Sequence, residues 1–232
     1  SATDIQAEKV LYAELSRARP DYGFMLEEAG VIEGREPESR WIIDPLDGTT
    51  NYLHGFPVFC VSIGLQVKGR IEHGVVYDPL RQELFTASRG QGAHLDGRRI
   101  RVSGLNDLSK ALIGTGFPYR TSNEELNPYM RMLVNAMAHT SGIRRPGAAA
   151  LDLCYVAAGR LDAFWETGLM PWDLAAGALI IREAGGIVSA LDGSENYLNT
   201  GHILCGTPKI YSGLAKLFAP DIKVMFEKPA GD

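Results

Sequence analysis

Apolar residues at helical spacing open the chain, and short apolar strands follow them. A helix is predicted from Asp4 to about Ala18, because apolar side chains recur there every three or four positions. Two short strands are expected next, at Phe24–Leu26 and Trp41–Ile43, and the polar residues 34–40 between them predict an exposed loop. The predicted apolar side of the helix consists of Ile5, Val10, Leu11 and Leu15.

Alternating apolar and polar positions from Val58 to Val102 predict an antiparallel meander. The dipeptide Asp96-Gly97 lies between two of its strands and is typical of a two-residue hairpin turn. A further strand is expected at Ala111–Gly116. The meander strands are predicted at Val58–Lys68, Arg70–Asp78, Gln82–Ser88, Gly92–Leu95 and Ile100–Val102.

The second half of the chain alternates helices with strands. This change near Ser109 divides the chain into a first half, residues 1–108, with the antiparallel sheet, and a second half, residues 109–232. Together the two patterns predict a mixed α/β (α+β) protein. Helices are predicted at Leu126–Thr140, Gly147–Ala158, Pro171–Glu183 and Pro208–Phe218. Strands are predicted at Gly142–Arg145, Leu161–Trp165, Ile187–Ala190 and His202–Cys205.

The composition provides a large core and little excess positive charge. Of the 232 residues, 45% are hydrophobic, and 23 basic residues stand against 28 acidic ones, for a net charge of −5. This balance argues against nucleic acid as the main partner, because phosphate backbones attract clustered positive charge. No apolar run is long enough to span a bilayer, which argues against a membrane protein. The three widely spaced cysteines favour a reducing cytoplasm over a disulfide framework.

Two carboxylates follow the strand Trp41–Ile43 at the point where strand pairing should end. Pro45 cannot donate to a sheet ladder, so Asp44 and Asp47 are expected to lie at a strand end. Carboxylate oxygens in such a place suit a hard cation such as Mg²⁺.

A turn and a helix start come directly after these carboxylates. Gly48 permits a tight turn, and Thr49 or Thr50 is expected to cap a short helix. Backbone N–H groups at the start of a helix bind phosphate well. The stretch therefore predicts a metal-assisted phosphate site, with an ordinary polar turn as the simpler alternative.

Two further acidic positions extend this set. Glu27 follows the strand Phe24–Leu26, and Asp173 lies in the first turn of the helix that begins at Pro171. Each of them alone is more typical of a surface acid or of an acid that favours the helix dipole. Combined with the two strand-end carboxylates, they predict a Mg²⁺ site whose ligands come from distant parts of the chain.

Other chemistries fit the sequence less well. The Asp44-x-x-Asp47 spacing differs from the Asp-x-Asp signature of haloacid-dehalogenase-type phosphatases, and no glycine-rich turn is followed by Gly-Lys-Ser/Thr. Ser62 lacks the preceding glycine of a nucleophile elbow. Arg144 and Arg145 are expected to be a solvated pair rather than substrate or phosphate contacts.

The combination of motifs resembles the inositol monophosphatase family of Mg²⁺-dependent, lithium-sensitive phosphatases. The segment Trp41–Asn51 is similar to the first signature of that family, and Trp172–Gly177 with Glu183–Gly186 is similar to the second. Glu27 and Glu28 stand where the family has a Glu-Glu motif. The resemblance covers nearly the whole chain. It implies a layered αβαβα sandwich of the inositol monophosphatase and fructose-1,6-bisphosphatase type, a cytoplasmic homodimer, and inhibition by Li⁺.

The resemblance also implies which residues hold two to three Mg²⁺ ions. Glu27, Asp44 and the Leu46 carbonyl would hold a first ion. Asp44, Asp47 and Asp173 would hold a second, and a third, weaker ion would lie near Glu27.

Further roles implied by the resemblance concern the substrate. The backbone N–H groups of Gly48 and Thr49 would bind the phosphate. The Thr49 hydroxyl would help to orient the attacking water, with Asp4 behind it. The positions that match contacts to the alcohol are Asp47, Gly147, Ala148, Ala149, Glu166 and Asp173.

The expected reaction is hydrolysis of a small phosphate monoester, with myo-inositol 1-phosphate as the first expectation. Histidinol phosphate, fructose 1,6-bisphosphate and a 3′-phosphoadenosine nucleotide remain alternatives. The nucleotide branch usually has Lys-Glu where this chain has Thr50-Asn51, which counts against the last of them. A scaffold with a macromolecular partner is the alternative outside the enzymes. The chain departs from the family pattern, outside the metal ligands, at Leu26, Ala29, Pro146 and Ala148.

Overall fold

The computed structural model describes residues 1–118 and 122–226. Its first sheet has eight strands, in the spatial order β2-β1-β3-β4-β5-β6-β7-β8. β1 pairs with β3 in parallel, and the other neighbours in this sheet are antiparallel. The strands are Tyr22–Leu26 (β1), Gly30–Ile32 (β2), Glu36–Asp47 (β3), Cys60–Val67 (β4), Arg70–Asp78 (β5), Glu83–Ser88 (β6), Gly92–Leu95 (β7) and Arg98–Ile100 (β8).

The second sheet has five strands, in the order β10-β9-β11-β13-β12. It is mixed, with β9, β10 and β11 parallel to one another and β13 antiparallel to both of its neighbours. The strands are Leu112–Thr115 (β9), Gly142–Arg144 (β10), Ala163–Glu166 (β11), Ile187–Ser189 (β12) and Ile203–Gly206 (β13). The helices are Ala2–Ala18 (α1), Thr49–Leu53 (α2), Asn123–His139 (α3), Ala149–Ala157 (α4), Pro171–Glu183 (α5), Tyr197–Thr200 (α6) and Pro208–Phe226 (α7), with a 3₁₀ turn at Leu108–Lys110.

Helices and sheets alternate in layers, as the family resemblance implies. α1 packs on β3, α4 and α5 lie between the two sheets, and α3 packs with α7 on the far side of the second sheet. The largest core surrounds α4 and α5, whose side chains are buried on nearly every side. This double burial explains why both helices are apolar without a polar face. No helix in the described part of the chain is long and apolar enough to cross a membrane.

Glycines on two neighbouring strands let α5 approach the first sheet closely. A Cβ at Gly74 would lie 2.9 Å from the carbonyl oxygen of Ala176, and one at Gly64 would lie 3.0 Å from the Cβ of Ala175. The Ser62 hydroxyl also donates to the carbonyl of Trp172 at 3.1 Å. These contacts fix the first turn of α5, and therefore Asp173, against the sheet.

The elements predicted from periodicity are present, with shifted ends, and several short ones were not predicted. β2, α6 and the 3₁₀ turn carry too few residues to produce a periodic signal. α7 continues to Phe226 with Pro220 inside it, eight residues beyond its predicted end. The division into residues 1–108 and 109–232 stays a prediction, and parts of the second half lie outside the described residues.

Three local predictions in the first half are wrong. Residues 36–40 belong to β3 rather than to an exposed loop, because backbone pairing with β1 and β4 holds them in spite of their polarity. Strand pairing does not stop at Pro45, since it shifts at a bulge and resumes where Asp47 faces Cys60. Neither threonine caps α2, because Gly48 occupies the N-cap position at φ +88°.

The buried side of α1 also differs from the prediction. Ile5 and Val10 are exposed, whereas Leu11 packs against the cluster formed by β1 and β3. The two fully buried residues of the helix are Asp4 and Glu8. Asp4 forms a capping box with Ser1 at the start of the same helix, whereas Glu8 accepts from the N–H groups of Glu28 and Ala29.

Candidate active site

Three carboxylates from distant parts of the chain meet at one end of the first sheet. Oxygen atoms of Asp44, Asp47 and Asp173 all lie within 4.8 Å of one another. Asp44 and Asp47 come from the end of β3, and Asp173 comes from the first turn of α5. The structure thus brings together three of the four acids that the sequence singled out.

Each carboxylate of this acidic cluster is held by a backbone N–H group. Asp44 accepts from Leu46 at 2.8 Å, within its own bulge. Asp47 accepts from Ala150 at 2.7 Å, at the start of α4. Asp173 accepts from Met170 at 2.7 Å, just before α5. The N–H donors leave oxygen lone pairs available to a cation while they fix the position of each carboxyl group.

Burial and mutual repulsion make the cluster a poor place for several bare negative charges. Burial raises the pKa of Asp44, and the neighbouring charges of Asp47 and Glu27 raise it further. Burial and the charge of Asp173 likewise raise the pKa of Asp47. Burial raises the pKa of Asp173 above its ordinary value, although the hydrogen bond from the Met170 N–H opposes this shift. A bound cation would reverse these shifts, because it favours the charged form of each acid.

Glu27 adjoins the cluster from the neighbouring strand. Leu26 pairs in parallel with Ile43, so Glu27, which directly follows β1, comes next to Asp44 of β3. Burial raises the pKa of Glu27 above its ordinary value, although a hydrogen bond with the Asp44 side chain opposes this shift. Glu27 is more exposed than the three clustered acids and therefore lies at the mouth of the site.

The start of α2 lies directly beside the cluster. Gly48 is required there for two reasons: its φ is +88°, and a Cβ would lie 2.8 Å from the carbonyl oxygen of Val58. The first N–H groups of a helix have no carbonyl one turn earlier to bind, so they are available to an anion. The Thr49 hydroxyl donates to the Leu46 carbonyl at 3.0 Å. The Asp4 carboxyl bonds to Ser1 in this structure.

The segment before α4 lines the opposite side of the site. Gly147 has φ +90°, and the Cβ of Ala148 is 3.2 Å from the position that a Cβ of Gly48 would occupy. The Asn51 amide donates to the carbonyls of Val58 and Pro146, at 2.8 and 2.9 Å. This single side chain ties α2 to the segment Gly147–Ala149, a link that no local sequence pattern indicates.

Glu166, at the end of β11, faces the same space. Gly116 makes room for it, because a Cβ at Gly116 would lie 1.9 Å from the Glu166 carboxyl carbon. Burial raises the pKa of Glu166 to about 8, helped by the charges of Asp173 and Asp47 and opposed by that of Arg145. The charge of Glu166 is therefore influenced both by the acidic cluster and by Arg145.

Arg145 and Asp152 were not predicted as part of the site. Arg145 is exposed, as predicted, and it also has tertiary neighbours: its guanidinium lies 5.4 Å from the Phe117 ring centroid, and its Nη1 is 2.8 Å from where a Cβ of Gly147 would be. Asp152 of α4 is buried, and its Oδ1 has no hydrogen-bond partner within the described residues. Arg145 lowers the pKa of Glu166, and the charge of Glu166 raises the pKa of Asp152. Both influences arise only in the tertiary fold, so no local motif marks these residues.

The donor set fits a hard divalent cation. Carboxylate oxygens without histidine or thiolate ligands are the preferred environment of Mg²⁺, Mn²⁺ or Ca²⁺. The Cys60 thiol lies behind the site and donates to Asp47 at 3.8 Å. Burial raises the pKa of that thiol well above its usual value, so it stays a neutral donor. Acids crowded in a buried site, each positioned by a backbone N–H, are the arrangement that such a cation stabilises.

Comparison with known proteins gives a consistent result. The model of the inositol monophosphatase family matches residues 1–222. A protein of Pseudomonas aeruginosa called Nus factor SuhB is 53% identical over 222 residues, which are 94% of this chain and 82% of that protein. An inositol-1-monophosphatase of Mesorhizobium japonicum is 52% identical over 216 residues, covering 93% and 81%. The crystal structure of extragenic suppressor protein suhB from Bartonella henselae has a TM-score of 0.90 at 48% identity, covering 93% and 82%.

Proposed function

The chain belongs to the inositol monophosphatase family and is a phosphoric monoester hydrolase, and from this we propose that it hydrolyses myo-inositol 1-phosphate to inositol and phosphate. The observation that carries the proposal is the cluster of Asp44, Asp47 and Asp173 beside the start of α2. The name of the Mesorhizobium japonicum relative supports the choice of substrate.

Mg²⁺ would be held by Glu27, Asp44, Asp47 and Asp173, with the Leu46 carbonyl as a further ligand. When bound, such ions lower the pKa of water and neutralise charge on the phosphate oxygens. The Leu46 carbonyl now accepts the Thr49 hydroxyl, so the hydroxyl is anchored beside the ligands. Asp44 would contribute to both ions, since its side chain hydrogen-bonds with that of Glu27 and also belongs to the cluster with Asp47 and Asp173.

The protein's own groups position the phosphate and the water. N–H groups of Gly48 and Thr49 would donate to the phosphate oxygens, where the helix start favours negative charge. The Thr49 hydroxyl would orient the attacking water on the side of the cluster. No nucleophilic side chain is required, so attack by water agrees with a site built from carboxylates and backbone.

The alcohol would lie against the segment before α4. Glu166 would accept a hydrogen bond from a sugar hydroxyl, and Asp47 and Asp173 would contact neighbouring hydroxyls. Gly147, Ala148 and Ala149 would provide a close wall of backbone and small side chains. Because this wall carries few polar side chains, Glu166 is the residue on which we expect substrate choice to depend most.

A substrate panel tests the proposal. Phosphate release would be measured for myo-inositol 1-phosphate, histidinol phosphate, fructose 1,6-bisphosphate and a 3′-phosphoadenosine nucleotide, each with Mg²⁺ and with EDTA. We expect turnover only with Mg²⁺, the highest kcat/KM for the inositol phosphate, and inhibition by added Li⁺. A higher kcat/KM for one of the other three would reassign the substrate, and equal rates in EDTA would remove the metal from the proposal.

A second role with a macromolecular partner is also proposed, because the 53% identical relative is called a Nus factor. The described surface includes an exposed apolar stripe, formed on α3 by Met130, Val134 and Met137. The same stripe is a candidate for the homodimer contact that the family resemblance implies. Light scattering of wild type and of Val134→Asp would distinguish these roles. If the wild type is a dimer and the variant a monomer, the stripe is the dimer contact. If the two have the same mass, the stripe is not the dimer contact and is available to a different partner.

A further inference from the structure

Glu8 of α1 holds the backbone that directly follows Glu27. Its side chain is buried, and the residue is only 5% exposed. One carboxylate oxygen accepts from the N–H of Glu28 at 2.9 Å, and the other accepts from the N–H of Ala29 at 3.0 Å. A single side chain therefore binds two consecutive amides of the turn between β1 and β2.

This turn has little other support. β2 is the edge strand of the first sheet and pairs only with β1. Ala29 is exposed, and the Glu28 side chain forms an ion pair of 3.5 Å with the amino group of Ser1. Within the described residues, Glu8 is the acceptor for both amides.

We propose that Glu8 is a positioning residue for the metal site, because it fixes the backbone at Glu28 and Ala29 and thereby sets where the Glu27 carboxylate stands relative to Asp44. The inference rests on the proposed function only in naming Mg²⁺ as the cation at Glu27. Glu8 does not itself belong to the acidic cluster of Asp44, Asp47 and Asp173.

The chemistry favours a large effect on metal affinity. Hydrogen bonds from amides to an ionised carboxylate are roughly twice as strong as those between neutral groups. Mg²⁺ tolerates little deviation from octahedral geometry, so a ligand that moves loses affinity quickly. Groups that orient a metal ligand typically contribute about 10–100-fold to metal affinity.

The chain supplies a matched control at Glu183. Its carboxylate also accepts from two backbone N–H groups of one turn, those of Gly90 and Gly92, both at 2.8 Å. That turn joins β6 to β7, and Glu183 lies ten residues after Asp173 on α5, about 15 Å along the helix axis. Loss of Glu183 should therefore loosen a turn of the same kind without touching the metal site.

The test titrates Mg²⁺ alone into the purified full chain by calorimetry and follows amide exchange of the 27–29 turn by mass spectrometry. For Glu8→Ala we expect Mg²⁺ binding to weaken about tenfold or more, with faster exchange at Glu28 and Ala29. kcat at saturating Mg²⁺ should fall much less than the affinity. For Glu183→Ala we expect unchanged Mg²⁺ affinity.

Two results would overturn the inference. One is wild-type Mg²⁺ affinity in Glu8→Ala although the turn exchanges faster. The other is an equal loss of affinity in Glu183→Ala, which would mean general loosening. If Glu8→Ala does not fold, the Mg²⁺ titration is done with Glu8→Gln, which keeps the shape of the side chain and one acceptor oxygen. Wild-type Mg²⁺ affinity of Glu8→Gln then counts against the inference. If no phosphate ester is hydrolysed, the proposed function fails, while the Mg²⁺ titration still tests Glu8.

Discussion

The acidic cluster and the proposed alcohol side of the site consist of different chemical groups. The cluster consists of carboxylates, each fixed by a backbone N–H within 2.8 Å. The proposed alcohol side has side chains packed closely against Gly147 and Gly116, with Glu166 as its main acidic group. In the proposed function the acidic cluster would hold the cations, and the alcohol side would contact the alcohol that carries the phosphate. The reaction class and the substrate choice should therefore be separable by mutation.

The largest effect is expected at the centre of the cluster. Asp44→Asn should lower Mg²⁺-dependent kcat/KM by on the order of 10³-fold or more, since it removes a charged ligand from a buried site. The loss should be equal for inositol phosphate and a simple aryl phosphate, measured by phosphate release.

Asp78 supplies the control for this variant. It is buried like Asp44 and accepts from the N–H two residues ahead, that of Leu80, at 2.9 Å. Asp78→Asn should reduce stability and leave turnover at wild-type level. Normal turnover of Asp44→Asn would refute the proposed site.

A smaller loss is expected where the two regions touch. Gly48→Ala places a Cβ 2.8 Å from the Val58 carbonyl and forces a left-handed conformation on alanine. We expect kcat to fall about 10–100-fold, because the phosphate-facing N–H groups shift. The control is Gly69→Ala, where φ is +76° and no atom lies within 4 Å of the new Cβ. Equal kcat values for the two variants would contradict a role of the α2 start in catalysis.

The alcohol side is tested most directly at Glu166. Glu166→Ala should lower kcat/KM for inositol phosphate about tenfold more than for an aryl phosphate, because only the former offers a hydroxyl to grip. Gly116→Ala should act in the same direction, since its Cβ would displace the Glu166 carboxyl group. An equal loss on both substrates would place Glu166 in general support of the site rather than in substrate choice.

The smallest effect concerns stability without metal. The pKa of Glu166 is raised from 4.5 to about 8, so the folded state binds the proton more tightly than the unfolded state. Its contribution to stability is therefore present at low pH and is lost as pH rises towards 8. Between pH 7 and pH 9, EDTA-treated wild type should lose about 1 kcal/mol more than Glu166→Gln in urea unfolding. An equal loss in both proteins would show that Glu166 does not titrate in this range.

Much of the candidate site could be predicted from local sequence. Asp44, Asp47 and Asp173 follow strands or open a helix, and their type and spacing are sufficient to suggest a cation. Gly48 was expected in a tight turn, where it lies, although the capping role given to the threonines was wrong. Arg145 shows the opposite case, because a charged pair in a sequence gives no sign of whether a tertiary neighbour holds it.

The buried face of α1 explains a second kind of failure. Its apolar residues suggested that Ile5 and Val10 point inward, but the inward positions belong to Asp4 and Glu8. Periodicity assigns burial by hydrophobicity, so it misses Asp4, which bonds to the N-cap residue Ser1, and Glu8, which accepts from backbone N–H groups of another segment. Such partners are known only once the turn at Glu28 has been placed against the helix.

Residue types and short-range spacing alone define the order of the main helices and strands, the family, and the acids proposed to bind a cation, because each of these is a local property of the chain. Packing defines which acids converge, since Glu27, Asp44 and Asp173 lie far apart along the chain and meet only when β1, β3 and α5 come together. Packing also brings Glu8 within hydrogen-bond distance of the N–H of Glu28, twenty residues away. This contact arises from the docking of α1 and not from any local preference.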